Sequence, residues 1–361
     1  MSATPVQGLL PKRVYLCTMQ VSASELVPLR HTHTLIDVRT PAEFAKGHIP
    51  GAQNLPLFSN DERARVGTVY KREGQQSAVS LGLKIVGPRL HTYPEQAKII
   101  SGGRPLLLYC WRGGMRSGSL AWLLQTAGFS VKVIAGGYKA FRKEATEVIS
   151  TRGQLCVIGG STGSMKTDVL HALRNAGEHT IDLEGIAHHK GSAFGKTDDI
   201  RQPTTEHFLN LLWDGWCAIP HGAKVWIEDE SRTIGSVWLP EALYERMRSA
   251  PVFIPEKPAE ERAAYLAEVY GDQPIEHLET AFKRIGDRLG GQHLNTALTA
   301  LHEGRLADAA ILALRYYDKA YAFGMSKRAH AQIVRFDASR LSADAIAKVL
   351  IHPTQKNHGT H

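Results

Sequence analysis

Cysteine is scarce in this chain and never paired. Cys17, Cys110, Cys156 and Cys217 are spread over 361 residues with no Cys-x-x-Cys spacing. That excludes a cysteine-built zinc cluster and a disulfide framework, and it suits a reducing compartment. No apolar run approaches the roughly 20 residues of a membrane-spanning helix. The opening residues, MSATPVQGLLPKRV, lack the hydrophobic stretch of a signal peptide. A cytoplasmic location is therefore expected. Internal repeats and low-complexity segments are also missing, which argues against a solenoid or a disordered scaffold.

What is present is a globular composition, 43% hydrophobic, at a length for which two domains are the natural expectation. The formal net charge is +8. A moderate basic excess is compatible with a nucleic-acid partner, and equally with a soluble enzyme whose Lys and Arg are merely solvated.

One stretch organises the first half: Leu106-Leu-Leu-Tyr-Cys110-Trp111-Arg112-Gly113-Gly114-Met115-Arg116-Ser117. An apolar run of strand length ends at Cys110, a Gly- and Arg-rich loop follows, and a helix begins near Ser117. Backbone N–H groups converging in such a loop, the helix N-terminus and the charges of Arg112 and Arg116 all favour a thiolate or a small oxyanion. Around it, Leu35–Arg39 reads as a buried strand. Thr40, Pro41 and Glu43 read as a capped helix start, and Gln53–Pro56 as a short strand. Asn60–Gln76 is polar, and reads as a helix or as an ordered loop over the site. Val131–Ala135 is a further strand, and Gly136-Gly137-Tyr138 opens a helix running to about Ile149. A linker is expected near Glu147–Gly153. Alternating strands and helices imply a parallel α/β sheet.

The DVRTPAEFAKGHIPGAQNLP, CWRGGMRS and IAGGYKAFR segments together resemble a rhodanese domain over residues 10–145. In that family the loop cysteine carries a persulfide. Asp37 and Arg39 match its strand-end pair, which is expected to anchor structure rather than to react.

In the second half, strand Leu155–Ile158 opens into Gly159-Gly160-Ser161-Thr162-Gly163-Ser164-Met165-Lys166-Thr167 and a helix, Asp168–Asn175. This is close to the phosphate-binding pattern G-x-x-x-x-G-K-[ST], in its required strand–loop–helix setting. Loop N–H groups would cradle a phosphate, Lys166 would be its counter-charge, and the Thr167 hydroxyl would serve a metal or a phosphate oxygen. Met165 stands where the pattern has its last Gly. A side chain there can block a positive φ or crowd the phosphate. The loop is expected to keep its fold, leaving its grip on phosphate open. Asp182 and Glu184 follow a short strand, and Lys224–Glu228 is an apolar strand ending in Glu228, Asp229 and Glu230. Asp182, Glu184, Glu228 and Asp229 are candidates for Mg²⁺ or for a second site; no protein-built metal centre is expected. Helices are expected over Pro258–Tyr270, Thr280–Leu289, Leu294–His302 and Leu306–Tyr321. A strand follows at Ala331–Phe336, then a last helix at Leu341–Ile351. Tyr316, Tyr317, Tyr321 and Phe323 read as core or helix contacts.

The order of the two modules, with DLEGIAHHKGSAFG and WIEDESRTIGS in the second, closely resembles the tRNA 2-selenouridine synthase family over nearly the whole chain. The resemblance implies an α/β fold: a rhodanese-like parallel domain (10–145), then a P-loop NTPase-like domain with extra C-terminal helices (153–351), and a mobile tail (352–361). It implies a transferase that replaces the 2-sulfur of wobble 2-thiouridine in tRNA with selenium from selenophosphate. It also implies geranylation of that sulfur from geranyl diphosphate. No tightly bound cofactor is implied, and Mg²⁺ is admitted. The family's cysteine maps onto Cys110, with Trp111, Arg112, Gly113, Gly114, Arg116 and Ser117 as its anion-binding loop. Its phosphate loop maps onto Gly160–Thr167. Arg63, Arg65, Lys71, Arg72, Lys139, Arg142 and Lys143 are candidate tRNA contacts. Two readings compete: a small-molecule sulfurtransferase fused to a P-loop kinase, and a regulatory protein with a degenerate phosphate loop.

Overall fold

The computed structural model describes residues 19–190, 194, 201–328 and 332–352. The chain divides into two compact units, residues 1–144 and 145–361. Cys17, the first residues assigned to the N-terminal domain and the tail beyond His352 lie outside the described residues.

The N-terminal unit is built on five parallel strands. These are β1 (Met19–Val21), β2 (Thr34–Asp37), β3 (Gln53–Asn54), β4 (Leu106–Tyr109) and β5 (Val131–Ile134), in the order β1-β5-β4-β2-β3. The central β4, Leu-Leu-Leu-Tyr, is buried along its whole length, as a parallel strand covered on both faces must be. Leu108 registers with Ile36 on one side and with Val133 on the other. After β2 the chain turns into helix Pro41–Lys46, where Thr40 and Glu43 close a reciprocal capping box with Pro41 at the first helical position.

The polar stretch after Ser59, open to two readings from sequence, is helical. Helix Asn60–Glu73 breaks at Gly74, whose φ of 91° only glycine adopts readily, and helix Gln75–Val86 follows at once. The second helix buries Ala78, Gly82 and Val86, a four-residue period that lays one face on the core. The helix opening at Gly137 runs to Thr151, through the segment read as a linker. Only Arg152 and Gly153 then precede the next strand.

The C-terminal unit has its own parallel sheet. Its strands are β6 (Gln154–Ile158), β7 (Thr180–Ile181), β8 (Lys224–Glu228), β11 (Val252–Glu256) and β12 (Ile333–Asp337), in the order β12-β11-β6-β8-β7. The pair β9 (Thr233–Ile234) and β10 (Val237–Trp238) forms a small antiparallel ribbon. Four helices follow β11: Ala259–Tyr270, Ile275–Leu289, Gly291–His302 and Leu306–Ser326; the last three run further at one end than the apolar spacing suggests, and the first begins one residue later. Leu278, Phe282, Ile285, Leu301 and Ala313 form their shared core, against which Tyr316 and Tyr317 pack. Phe323 departs from its expected core role: it is 64% exposed, with the Lys327 ammonium 4.1 Å from its ring centre. Among the described residues no helix is long and apolar enough to cross a membrane.

Asp37 and Arg39 anchor the end of β2. Both are buried, and the Arg39 guanidinium donates to Asp37 (2.6 Å from Nη2) and to the Gly47 carbonyl (2.7 Å) while stacking 3.8 Å from the centre of the Tyr138 ring. Removing one member of a buried pair strands the other charge away from water. Asp37→Ala is therefore expected to destabilise the N-terminal unit by about 3–5 kcal/mol, read as a lowered urea midpoint. A midpoint essentially unmoved would deny the pair its anchoring role.

Candidate functional site

Cys110 follows β4 directly and is 3% exposed. The loop behind it is held by close backbone packing. Tyr138 N–H donates to the Cys110 carbonyl (2.8 Å) and Lys139 N–H to that of Trp111 (2.9 Å). At Gly137 a Cβ would fall 2.3 Å from the Cys110 carbonyl oxygen; at Gly113 (φ 62°) it would fall 2.6 Å from that of Ile134. Gly113 and Gly137 are thus required where the two turns interlock, and Gly113 shapes the loop from behind.

Ser117, in the first turn of helix Met115–Thr126, places its hydroxyl 3.2 Å from Cys110 Sγ and 3.2 Å from the Gly114 carbonyl. Its single hydrogen is shared between these acceptors until a thiolate forms to claim it. Burial pushes the Cys110 thiol up. The Ser117 hydroxyl, the backbone N–H groups of Ser117 and Arg112, and the Arg116 charge outweigh that and hold it below the usual thiol value. Arg116 is itself oriented by Glu43, 2.9 Å away, whose carboxyl is held low mainly by that guanidinium against the opposing effect of burial. Sequence spacing identifies Glu43 as a helix cap but gives no sign of its reach to Arg116. Arg112 is exposed.

The sulfur is not sealed off. Cys110, Trp111, Arg112, Gly114 and Arg116 form one side of a cavity of ≈ 880 Å³, and helices Asn60–Glu73 and Gln75–Val86 supply the other, with Arg63, Tyr70, Lys71 and Leu83. Of the basic residues proposed from sequence to meet tRNA, Arg63 and Lys71 line this cavity, whereas Arg65, Arg72, Lys139, Arg142 and Lys143 do not.

In the C-terminal unit the loop after β6 leads into helix Lys166–Asn175. Met165 adopts φ 64°, so a non-glycine residue carries the left-handed conformation there, at a cost of roughly 1–2 kcal/mol. Its side chain packs against the cluster of Val169, Leu170, Ile346 and Leu350. The loop keeps its turn, with the thioether packed against that cluster. Lys166 Nζ donates to the Gly160 carbonyl (3.2 Å), and Gly160 N–H donates to the Tyr321 hydroxyl (2.7 Å). The Ser164 hydroxyl is buried with no partner among the described residues. Arg262 holds the Thr162 carbonyl (3.1 Å) and packs so closely that a Cβ at Gly163 would lie 2.9 Å from its backbone oxygen. Thr162 and Ser161 are half-buried on the same turn. Nothing in the sequence spacing points to Tyr321 and Arg262 as partners of this loop.

The four candidate acids separate into different roles. Thr167 donates to Glu184 (3.0 Å), and Glu184 N–H donates to Glu228 (2.8 Å), whose second oxygen is buried without a partner among the described residues. Burial raises both carboxyls, Glu228 far above its usual range with Asp182 and Glu184 adding repulsion. Asp182 caps helix Leu183–Ala187 through Gly185 N–H (2.7 Å) and pairs with His171 (2.8 Å). Asp229 is taken up by an ion pair with the buried Arg328. Glu230, the third of the strand-end acids, belongs with the first pair: burial and Glu184 push it up to about 8, against the pull of Lys166. Among the described residues no group of three or more His, Cys, Asp or Glu is arranged to hold a metal ion.

Comparison with known proteins finds a match for each unit. Residues 22–144 match the rhodanese-like domain family, and residues 153–309 match the family described as tRNA 2-selenouridine synthase AAA domain. Three curated proteins called tRNA 2-selenouridine synthase align along most of the chain. That of Psychromonas ingrahamii is 35% identical over 329 residues, covering 82% of this chain and 88% of its own. That of Hahella chejuensis is 36% identical over 344 residues, covering 84% and 89%. That of Cronobacter sakazakii is 36% identical over 353 residues, covering 86% and 92%.

Because the Ser117 hydroxyl favours the thiolate, Ser117→Ala should raise the Cys110 pKa. The pH profile of Cys110 alkylation by iodoacetamide should then move to higher pH, with slower reaction at neutrality. An unmoved profile would mean that the hydroxyl stays on the Gly114 carbonyl.

Proposed function

The chain belongs to the tRNA 2-selenouridine synthase family, and from that premise we propose that Cys110 is the nucleophile with which it exchanges the 2-sulfur of wobble 2-thiouridine for selenium from selenophosphate. The observation that carries this reading is the Cys110 sulfur, held below the usual thiol pKa on the wall of a cavity that also presents Arg63, Lys71, Arg112 and Arg116. A low-pKa thiol is the form that engages chalcogens at neutral pH. Guanidinium and ammonium groups beside it suit both the anionic selenium donor and the RNA backbone. An exposed anticodon loop can splay its wobble base into such a cavity, where Trp111, 37% exposed, offers an aromatic face for stacking.

Geranylation belongs to the phosphate loop in this reading. The loop holds the diphosphate of geranyl diphosphate on its N–H groups and Lys166. The thiouridine sulfur attacks the allylic carbon, the carbon–oxygen bond breaks, diphosphate leaves with the electron pair, and the base loses its N3 proton to solvent. A Mg²⁺ ion there would be held by Thr167 and Glu228, with phosphate oxygens and water completing its shell. The Glu228 oxygen that lacks a partner is the feature that fits a cation.

Cys110→Ser is expected to abolish 2-selenouridine formation, measured by mass analysis of digested tRNA, with circular dichroism unchanged; retained selenation would take Cys110 out of the chemistry. Lys166→Ala is expected to lower geranylation by about tenfold or more, since a hydrogen bond to a charged group contributes about 1.5–3 kcal/mol. Binding of tRNA should stay near the level of the unaltered protein. Equal losses in both would argue against a diphosphate role for the loop.

A further inference from the structure

The long helix Leu306–Ser326 buries one flank and leaves another in solvent. Ala309, Ala313, Leu314 and Met325 are buried, whereas Arg315, Lys319, Phe323 and, just past the helix end, Lys327 are exposed. At about 100° per residue, positions 315, 316, 319, 323 and 327 fall within about 120° of the helix surface, over about 18 Å of its length. Cations and aromatic rings alternate along this stripe. The Arg288 guanidinium, from helix Ile275–Leu289, donates to the Tyr316 hydroxyl (2.8 Å) and lies 5.9 Å from the centre of its ring. The Lys327 ammonium stands 4.1 Å from the ring centre of Phe323. Arg315, Lys319 and Lys327 have no acidic partner among the described residues. The one acid between Arg315 and Lys327 is Asp318, and Arg262 engages it through two bonds (2.9 and 2.7 Å).

We propose that this stripe binds a single-stranded segment of RNA, its phosphates on Arg315, Lys319 and Lys327 and one base stacked on Phe323, an assignment that builds on the reading of tRNA as the substrate. Three cations left without a carboxylate attract a polyanion. The Phe323 ring is 64% exposed, and a base laid on it removes apolar surface from water whatever the base, since every base has a π-face. Ala320 and Ser326, beside it on the same flank, are small and leave the ring accessible. The ring also separates single strands from duplex. In a duplex the bases are already stacked on one another and offer only edges and phosphates. Phe323 then adds nothing, whereas a single strand uses both the ring and the cations. A protein partner suits the face less well. The core of a protein interface is depleted of charge, and here the exposed apolar surface is one ring bordered by Lys319 and Lys327.

Fluorescence anisotropy of the full chain with a labelled oligouridylate, an RNA duplex of the same length and a tRNA tests this. Phe323→Ala is expected to weaken the oligouridylate by about fivefold to a hundredfold and to leave the duplex unchanged, while Phe323→Trp, which keeps a stacking face, binds at least as well as the parent. Lys319→Gln and Lys327→Gln should each flatten the dependence of log affinity on log salt by about 0.7. Oligouridylate binding that is equal in Phe323→Ala and the parent, or salt slopes unmoved by both lysine changes, overturns the assignment. So does an equal loss of duplex and single strand in Phe323→Ala. A parent chain that binds tRNA but not the oligouridylate overturns the stripe and leaves the tRNA reading intact; failure to bind either RNA overturns both. Sedimentation velocity supplies the last outcome: a parent dimer that Phe323→Ala converts to monomer, with RNA affinity unchanged, gives the face to a second copy of the chain and overturns the RNA assignment.

Discussion

A sulfur anion in a nearly closed site is stable only if hydrogen-bond donors and positive charge offset its lost hydration. That constraint governs the N-terminal unit. Burial by itself would keep Cys110 protonated and inert. The Ser117 hydroxyl, two backbone N–H groups and the Arg116 charge reverse the balance. None of them acts unless the loop is held open at the right radius. The holding is done by the turn at Gly136–Tyr138, which approaches so closely that only glycine fits on either side. Tyr138 then stacks on Arg39, and Arg39 is fixed by Asp37. The electrostatic setting of the sulfur thus depends on a chain of contacts that ends in a buried ion pair.

The C-terminal unit also fixes a loop between a strand and a helix, but by different means. The helices behind that loop hold it through Arg262 and Tyr321. Around Lys166 lie Glu184, Glu228 and Glu230, whose carboxyls burial raises toward the neutral form. The Lys166 charge opposes that rise at Glu184 and Glu230.

Local features carry much of this into view from the sequence. The Cys110 loop, the capping box at Thr40–Glu43 and the phosphate loop each depend on residues a few positions apart, so spacing alone exposes them. Strand β11 escapes such a reading because it is short and contains Pro255, which reads as a strand breaker. The helix pair over Cys110 is ambiguous in sequence because Asn60–Glu73 buries no residue and shows no apolar face. The expected linker is helix because Glu147–Thr151 continues the pattern of the helix before it. Met165 is legible as a departure, but whether its side chain enters the phosphate cradle depends on the presence of Ile346 and Leu350, distant in sequence.

What the sequence determined by itself was the kind of chemistry at two points: a strand-end cysteine among amides and guanidinium groups, and a loop of N–H groups before a helix. Both follow from backbone geometry fixed within one turn of chain. Tertiary structure decided which charges are available there. It gave Arg116 to Glu43 and Asp229 to Arg328, and brought Glu228 against the backbone of Glu184. Pairings across tens to hundreds of residues leave no periodic trace in a chain, because they are selected by proximity after folding and by the cost of burying a charge without a partner.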